Sequence, residues 1–192
     1  MAQYAVLLDA CVLYPFGLRD LLVQLATTGI FRARWTNQIH SEWMGNLVKK
    51  GLPIEQLESI RDLMEQAIPD AQITGHDPLI GSIKKQKLPD EKDAHVIAAA
   101  IRGNVDMIVT WNIKDFPEEL LAPYHIEVQE PDDFLLNQFG LDAAKVLQSV
   151  KACRMRLTDP ELTPIEYLKM LERNKLTNTA LELRSYAEAF LI

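Results

Sequence analysis

The stretch PDEKDAHVIAAAIRGNVDMIVTWNIKDF, residues 89–116, decides the fold of this chain. It opens with two acids, Asp90 and Asp93, and runs into an Ala-rich segment whose composition predicts a buried helix. A short apolar strand follows at residues 106–110, and the polar loop after it contains Asp115. A helix, then a buried strand with a polar end, is the repeating unit of a parallel α/β sheet.

The same unit recurs on both sides of this stretch. Apolar runs predict further strands at residues 3–8, 31–35, 72–74 and 125–129. Amphipathic spacing predicts helices at residues 17–28, 37–50, 54–67 and 131–139, whereas residues 77–87 favour neither state. Strands alternating with helices predict an α/β sandwich with helices on both faces of a mainly parallel sheet.

The last quarter of the chain has a different pattern. Residues 143–157, 163–174 and 177–190 predict three helices with no strand between them. We therefore divide the chain into an α/β domain at residues 1–139 and a C-terminal helical extension at residues 140–192. The extension could complete the core, form a dimer contact, or bind RNA or a protein partner.

Composition and charge limit the function. The net charge is −7, which argues against broad, charge-driven binding to nucleic acid. The charge is uneven, because residues 140–192 carry eight Lys and Arg against seven Asp and Glu, and the acidic excess lies before them. We expect no signal peptide and no membrane span, and the two cysteines fit a reducing, cytoplasmic compartment.

Five acids stand at the ends of predicted strands or in predicted helices: Asp9, Glu42, Asp90, Asp93 and Asp115. In an open parallel sheet, sites form at the carboxyl ends of strands, so acids from distant segments can meet there. Converging carboxylates repel each other unless a cation lies between them. Carboxylate oxygens are the ligands of hard divalent metals, and such sites commonly act on phosphates.

Each acid also has a simpler interpretation. Asp9 could be a turn or capping residue, and Glu42 a solvated helix residue. Asp90, Asp93 and Asp115 could cap helices, since carboxylates are favourable at helix N-termini. The chain has no HExxH, P-loop, GxGxxG or GxSxG motif, so no zinc protease, NTPase, Rossmann dehydrogenase or serine hydrolase is indicated.

Four blocks in this order resemble PIN-domain nucleases: VLLDACVLY, TNQIHSEW, DEKDAHVIAAAI and DMIVTWNIKDF. The resemblance covers roughly residues 3–136. It is closest to the toxins of VapBC-type toxin–antitoxin pairs, in which a similar LDACVLYP opening precedes Leu-Arg-Asp, here residues 18–20. It implies a three-layer αβα sandwich with a central, mainly parallel sheet. The C-terminal helices lie outside the core PIN pattern.

The resemblance also implies an activity, a metal and site residues. The activity is endoribonuclease hydrolysis of single-stranded or looped RNA, dependent on Mg²⁺ or Mn²⁺, with 5′-phosphate and 3′-hydroxyl products. The implied catalytic acids are Asp9, Glu42, Asp93 and Asp115; the implied metal ligands are Asp9, Asp90, Asp93 and Asp115. Thr110, Asn112 and Arg19 are supporting residues, although Asn112 stands where many relatives have Asp.

The resemblance further implies partners. A toxin of this type would pair with an antitoxin protein and form a homodimer, with no membrane association. Two alternatives stay open: a housekeeping PIN nuclease of RNA maturation, and a catalytically silent PIN module used for binding. A neighbouring antitoxin gene would favour the toxin, and Mn²⁺ binding would argue against the silent module.

Overall fold

A computed structural model of the chain describes residues 4–186 and contains the predicted parallel sheet. Its strands are β1 (Ala5–Leu8), β2 (Arg32–Arg34), β3 (Met107–Val109) and β4 (Glu127–Gln129). The strands lie in the order β2-β1-β3-β4, and every neighbouring pair is parallel. The α/β fold class predicted from the sequence is confirmed.

Helices connect the strands and form most of the described chain after β4. They are α1 (Ala10–Leu13), α2 (Phe16–Thr27), α3 (Asn37–Val48), α4 (Ile54–Ala67), α5 (Asp77–Lys84), α6 (Ala94–Arg102), α7 (Glu118–Leu121), α8 (Pro131–Leu141), α9 (Ala143–Arg156), α10 (Pro164–Arg173) and α11 (Thr177–Arg184). Short 3₁₀ helices occur at Glu91–Asp93, Ile113–Asp115 and Ala122–Tyr124. None of the helices within residues 4–186 combines the length and apolar character that crossing a membrane requires.

The structure differs from the sequence prediction at residues 72–74 and describes only part of the helix predicted at residues 177–190. The predicted strand at residues 72–74 is wrong, because Gln72 makes only an isolated bridge to Trp35. The chain turns into α3 directly after Trp35, with Thr36 as its N-cap, so no strand remains there for a longer ladder. The predicted helix at residues 177–190 corresponds to α11, and its last four positions lie outside the described residues.

The topology determines where polar strand ends gather. The connection from β1 to β2 runs one way along the sheet, and the connection from β2 to β3 runs back past β1. Right-handed crossovers in opposite directions run along opposite faces of a sheet, although α3 and α4 still contact α1 and α2 at its edge. Because the chain leaves β1 and β3 in opposite directions, the crevice at their carboxyl ends is the expected site.

The C-terminal helices share one apolar core with the α/β part. The edge of the Phe134 ring meets the Phe31 ring with centroids 5.0 Å apart, and Tyr4 donates a hydrogen bond to Gln138 at 2.6 Å. A Cβ atom added at Gly17 would lie 2.8 Å from the Met170 side chain, so α2 and α10 approach closely. The helices thus complete the core, and the boundary proposed at residues 139 and 140 falls inside α8.

Asp132 fastens the last described helix to α8. The N-terminus of α11 has no capping side chain of its own. The Asp132 carboxylate accepts the backbone N–H of Asn178 at 2.9 Å and that of Thr179 at 2.8 Å. Its side chain is buried, so these bonds supply partners that water cannot supply. An acid from α8 therefore caps a helix that begins 45 residues later in the chain, as the bounds of α11 show.

Removing this cap should destabilise the whole protein. We expect Asp132→Ala to lower the free energy of unfolding by about 1–3 kcal/mol, because two backbone N–H groups, of which that of Thr179 is buried, lose their acceptor. The adjacent, exposed Asp133→Ala is the matched control and should change stability far less. Urea unfolding followed by circular dichroism measures both, and equal stability losses would contradict the capping role.

Candidate active site

Asp9 lies at the carboxyl end of β1, and hydrogen bonds fix its carboxylate in place. Oδ1 accepts the N–H of Ala10 at 2.6 Å, so Asp9 is also the N-cap of α1. Oδ2 accepts the Thr110 hydroxyl proton at 2.7 Å. The Asp9 backbone N–H donates to the Val109 carbonyl at 3.1 Å, which joins the ends of β1 and β3. The capping interpretation and the site interpretation of Asp9 are therefore compatible.

Thr110 and Cys11 form the support beneath Asp9. Thr110 is fully buried and accepts the backbone N–H of Asn112 at 3.1 Å. The Cys11 sulfur lies 3.1 Å from Asp9 Oδ2 and 3.3 Å from Thr110 Oγ1, and it accepts the Trp111 N–H at 3.3 Å. Burial, and then the charge of Asp9, raise the pKa of the Cys11 thiol to about 12, so it stays a protonated donor.

This role of Cys11 was not predicted from the sequence. A cysteine after an apolar strand predicts a small buried hydrophobe, which is the usual outcome for that residue type. Its position two residues after Asp9 was the available signal, since the first turn of α1 brings the thiol back beside the carboxylate.

Asp93 faces the same crevice, at the start of α6. It occupies the N-cap position of α6, yet its side chain makes no capping hydrogen bond. Burial, and after it the charges of Asp9, Asp90 and Asp115, raise the pKa of its carboxyl from 3.8 to about 6. Those three acids must therefore lie near enough to repel Asp93, which favours a shared site over separate caps.

Asp90 and Asp115 stand on either side of Asp93 in the sequence. Asp90 caps the first 3₁₀ helix, where its Oδ1 accepts the Lys92 N–H at 2.9 Å. Asp115 is the last residue of the second 3₁₀ helix, and Pro117 takes the N-cap position of the helix that follows. Asp90 therefore keeps a capping role, whereas Asp115 does not cap the helix that follows it.

Glu42 reaches this region through a buried histidine. Its Oε1 lies 2.8 Å from Nε2 of His95 and accepts a bond from Gln38 at 3.3 Å. His95 is 2% exposed and stands one half-turn after Asp93 in α6, so the contact ties α3 to the helix that carries Asp93. The sequence predicts His95 as a partly buried helix residue, and its partner was not visible because the two residues are far apart in the chain.

Arg19 is placed differently from the acids. Its guanidinium is buried, donates to the Leu13 carbonyl at 2.7 Å and lies 4.6 Å from the Trp43 ring centre. Burial lowers its pKa to about 10, so the group stays charged at neutral pH. These contacts join α1, α2 and α3 beneath the site. A direct phosphate contact by Arg19 stays a prediction.

Comparison with known proteins identifies the family. A profile of the PIN domain matches residues 5–114, more than half of the chain. The chain belongs to the PIN domain family. A second profile, the VapC50 C-terminal domain, matches residues 131–185, which comprise α8 to α11. The C-terminal helices are therefore a recognised unit that begins at α8.

One curated relative of this PIN protein comes from Mycobacterium tuberculosis (strain ATCC 25618 / H37Rv), where it is named "Putative ribonuclease VapC50". The two are 41% identical over 80 residues, which is 42% of this chain and 47% of the relative. The match thus spans about half the length of the curated relative. No solved structure matches this chain.

The donor set of the PIN site fits a hard divalent cation. Within residues 4–186, no three His, Cys, Asp or Glu side chains are close enough together to ligate one ion directly. The donors that do gather are carboxylate oxygens, which Mg²⁺ prefers and which it often reaches through retained waters. A cation would also relieve the repulsion that raises the pKa of Asp93.

The burial of the Asp93 charge and its repulsion by the other acids should lower the free energy of unfolding by a measurable amount. The pKa of Asp93 rises from 3.8 to about 6 on folding, so the folded protein binds a proton more tightly than the unfolded chain. Stability is therefore lost as the pH rises between these two values. We expect Asp93→Asn, which is neutral at every pH, to stabilise the metal-free protein at neutral pH.

The stability gain should shrink as the pH falls through 6 towards 3.8, because wild-type Asp93 then becomes protonated as well. Urea unfolding in chelator at several pH values measures the gap, with exposed Asp62→Asn on α4 as the matched loss of one charge. Lower stability of Asp93→Asn than of wild type at neutral pH would show that favourable contacts, and not repulsion, dominate at this carboxyl.

Proposed function

We propose that this chain is a metal-dependent endoribonuclease and the toxin of a toxin–antitoxin pair, with Mg²⁺ or Mn²⁺ as its metal. The observation that supports the proposal is the hydrogen bond from Thr110 to Asp9 at the carboxyl ends of β1 and β3, together with the charges of Asp9, Asp90 and Asp115 that help to raise the pKa of Asp93. Membership of the PIN family supports the nuclease. The name of the mycobacterial relative supports RNA as substrate, and its VapC label supports the toxin.

The roles of the acids follow from their surroundings. Asp9 and Asp93 would hold the cation, with Asp90 and Asp115 beside them and Asn112 as a neutral neighbour. When bound, such a cation supplies Lewis-acid stabilisation of phosphate charge and a lowered pKa for an attacking water. Thr110 and Cys11 keep the Asp9 carboxylate in one orientation, so that it does not reorganise during the reaction.

We assign to Glu42 the proton of the attacking water. Its Oε1 is occupied by His95 and Gln38, and no hydrogen bond from residues 4–186 engages Oε2. Oε2 is therefore the atom we assign to orient the water and accept its proton. His95 acts as a positioning residue, because its Nε2–H fixes the carboxylate without reaching the substrate.

Loss of the central acids should abolish cleavage. We expect Asp9→Asn and Asp93→Asn to cleave a labelled single-stranded RNA no faster than a blank in Mg²⁺ or Mn²⁺, because the cation loses its main ligands. Asp62→Asn removes an equivalent charge from the α4 surface and should keep wild-type activity. Circular dichroism checks that each variant is folded.

Two results would contradict this assignment. Wild-type activity in both Asp9→Asn and Asp93→Asn would remove the proposed site, and full wild-type activity in EDTA would remove the metal. Chelation should instead silence the wild type, and added Mg²⁺ or Mn²⁺ should restore cleavage.

The positioning role of His95 has a separate test. His95→Leu removes the donor to Glu42, and we expect kcat to fall roughly 10- to 100-fold, as for other supporting partners of catalytic ligands. His95→Gln keeps an N–H donor of similar reach and should recover most of this loss. A merely structural role predicts no such rescue, so equal rates in the two variants would overturn it.

The biological role rests on a partner. We propose that an antitoxin protein binds this chain in the cytoplasm, and that the chain forms a homodimer by analogy with its family. Co-expression with the product of an adjacent small gene should relieve growth arrest caused by this chain alone. Cleavage without growth arrest would favour RNA maturation over a toxin.

A further inference from the structure

Lys175 stands at a backbone position where glycine is usual. After α10 ends, its φ is 63°, in the left-handed region. The Lys175 N–H donates to the Glu172 carbonyl at 2.9 Å, and the Leu176 N–H donates to the Leu171 carbonyl at 3.1 Å. This pair of bonds is the Schellman motif, whose left-handed residue is most often glycine because a Cβ atom is disfavoured in that conformation.

The joint that carries Lys175 is firmly held on both sides. Leu176 is fully buried and anchors the turn in the core. Just beyond it, Asp132 binds the backbone of Asn178 and Thr179. The exposed Lys175 side chain therefore projects from a fixed point of the C-terminal helices.

The Lys175 ammonium lies over the indole of Trp111, 5.4 Å from the ring centre. Trp111 follows Thr110, whose hydroxyl donates to Asp9. The backbone N–H of Trp111 donates to the Cys11 sulfur. The same loop continues through Asn112 to Asp115. The positive charge of Lys175 is thus held beside the loop that carries Asp115 and that, through Thr110, holds Asp9. We call the acids Asp9, Asp90, Asp93 and Asp115 the acid cluster.

The positive charge of Lys175 would favour the binding of an RNA strand beside the acids. The acids that would bind the cation also repel phosphates, and the chain as a whole has a net charge of −7. The contact with the indole limits the positions that the flexible lysine samples. An ammonium already positioned in this way loses less entropy on binding a phosphate.

We propose that Lys175, oriented by Trp111, contacts a backbone phosphate of the RNA strand at the acid cluster. The C-terminal helices then form part of the substrate-binding surface in addition to completing the core. This inference rests on the proposed ribonuclease function. The contact is to the phosphate and reads no base, so it adds affinity for any single-stranded RNA.

The test compares Lys175→Ala with Lys175→Arg and with Lys169→Ala, an exposed lysine on α10 near Glu166. Cleavage of a labelled single-stranded RNA is followed in Mg²⁺ over a series of KCl concentrations. We expect Lys175→Ala to raise KM roughly three- to tenfold and to leave kcat within about twofold, because one phosphate contact is lost. Lys175→Arg should stay near the wild type, and Lys169→Ala should not differ from it.

Salt dependence adds a second readout. Binding of the same RNA is measured by fluorescence anisotropy in EDTA, where cleavage stops. The slope of log Kd against log salt should be about 0.7 smaller for Lys175→Ala, the value for one phosphate of a single strand. Trp111→Leu should weaken binding without changing this slope, since the charge remains and only its positioning is lost.

Several outcomes would overturn the proposal. Wild-type KM and slope in Lys175→Ala would remove the contact, and an equal effect of Lys169→Ala would reduce it to general charge. Poly-glutamate, a mimic of an acidic protein, is also added as an inhibitor of RNA cleavage. If Lys175→Ala weakened only this inhibition and left KM unchanged, the lysine would bind an acidic protein partner, and the proposed RNA contact would be wrong. If wild type cleaves and Asp9→Asn does not, a wild-type-like Lys175→Ala sinks this inference alone, whereas an inactive wild type sinks the proposed function with it.

Discussion

The hydrogen bond from Thr110 to Asp9 joins the two strands on which the site is built. A carboxylate with 5% exposure is stable only if its oxygens are satisfied, because burial of an unpaired charge is strongly unfavourable. Asp9 meets this requirement with one backbone N–H, one hydroxyl and one thiol. The parallel pairing of β1 and β3 brings the hydroxyl to the carboxylate, and the first turn of α1 supplies the N–H and the thiol.

In contrast to the satisfied carboxylate of Asp9, the charge of Asp93 is unfavourable because other acids repel it. Asp93 does not form the helix cap that its position allows, and its raised pKa reflects burial beside three like charges. The apolar core and the Glu42–His95 contact hold α6 in place despite this repulsion. Stability given up at a functional site is a common arrangement, and the cation that we propose would offset this repulsion.

Local patterns in the sequence predicted the elements, but not the contacts between distant elements. The apolar runs located β1 and β3, and their polar ends predicted where Asp9 and Asp115 stand. The prediction of a strand at residues 72–74 was wrong. A local sequence pattern cannot show that the neighbouring strand, β2, ends just before Trp35, where the chain turns into α3. The pairing of Glu42 with His95 depends on α3 lying beside α6, and the burial of Arg19 depends on α3 covering α2. Neither is encoded in a local pattern.

The cap that Asp132 gives to α11 has a consequence for biosynthesis. All the acids of the site precede residue 116, yet the N–H groups that satisfy Asp132 belong to residues 178 and 179. A ribosome adding about 5–20 residues per second needs several seconds to cover that interval. During that time the acids have been synthesised but the helices that complete their core have not, so the site matures only after residue 179 has been made.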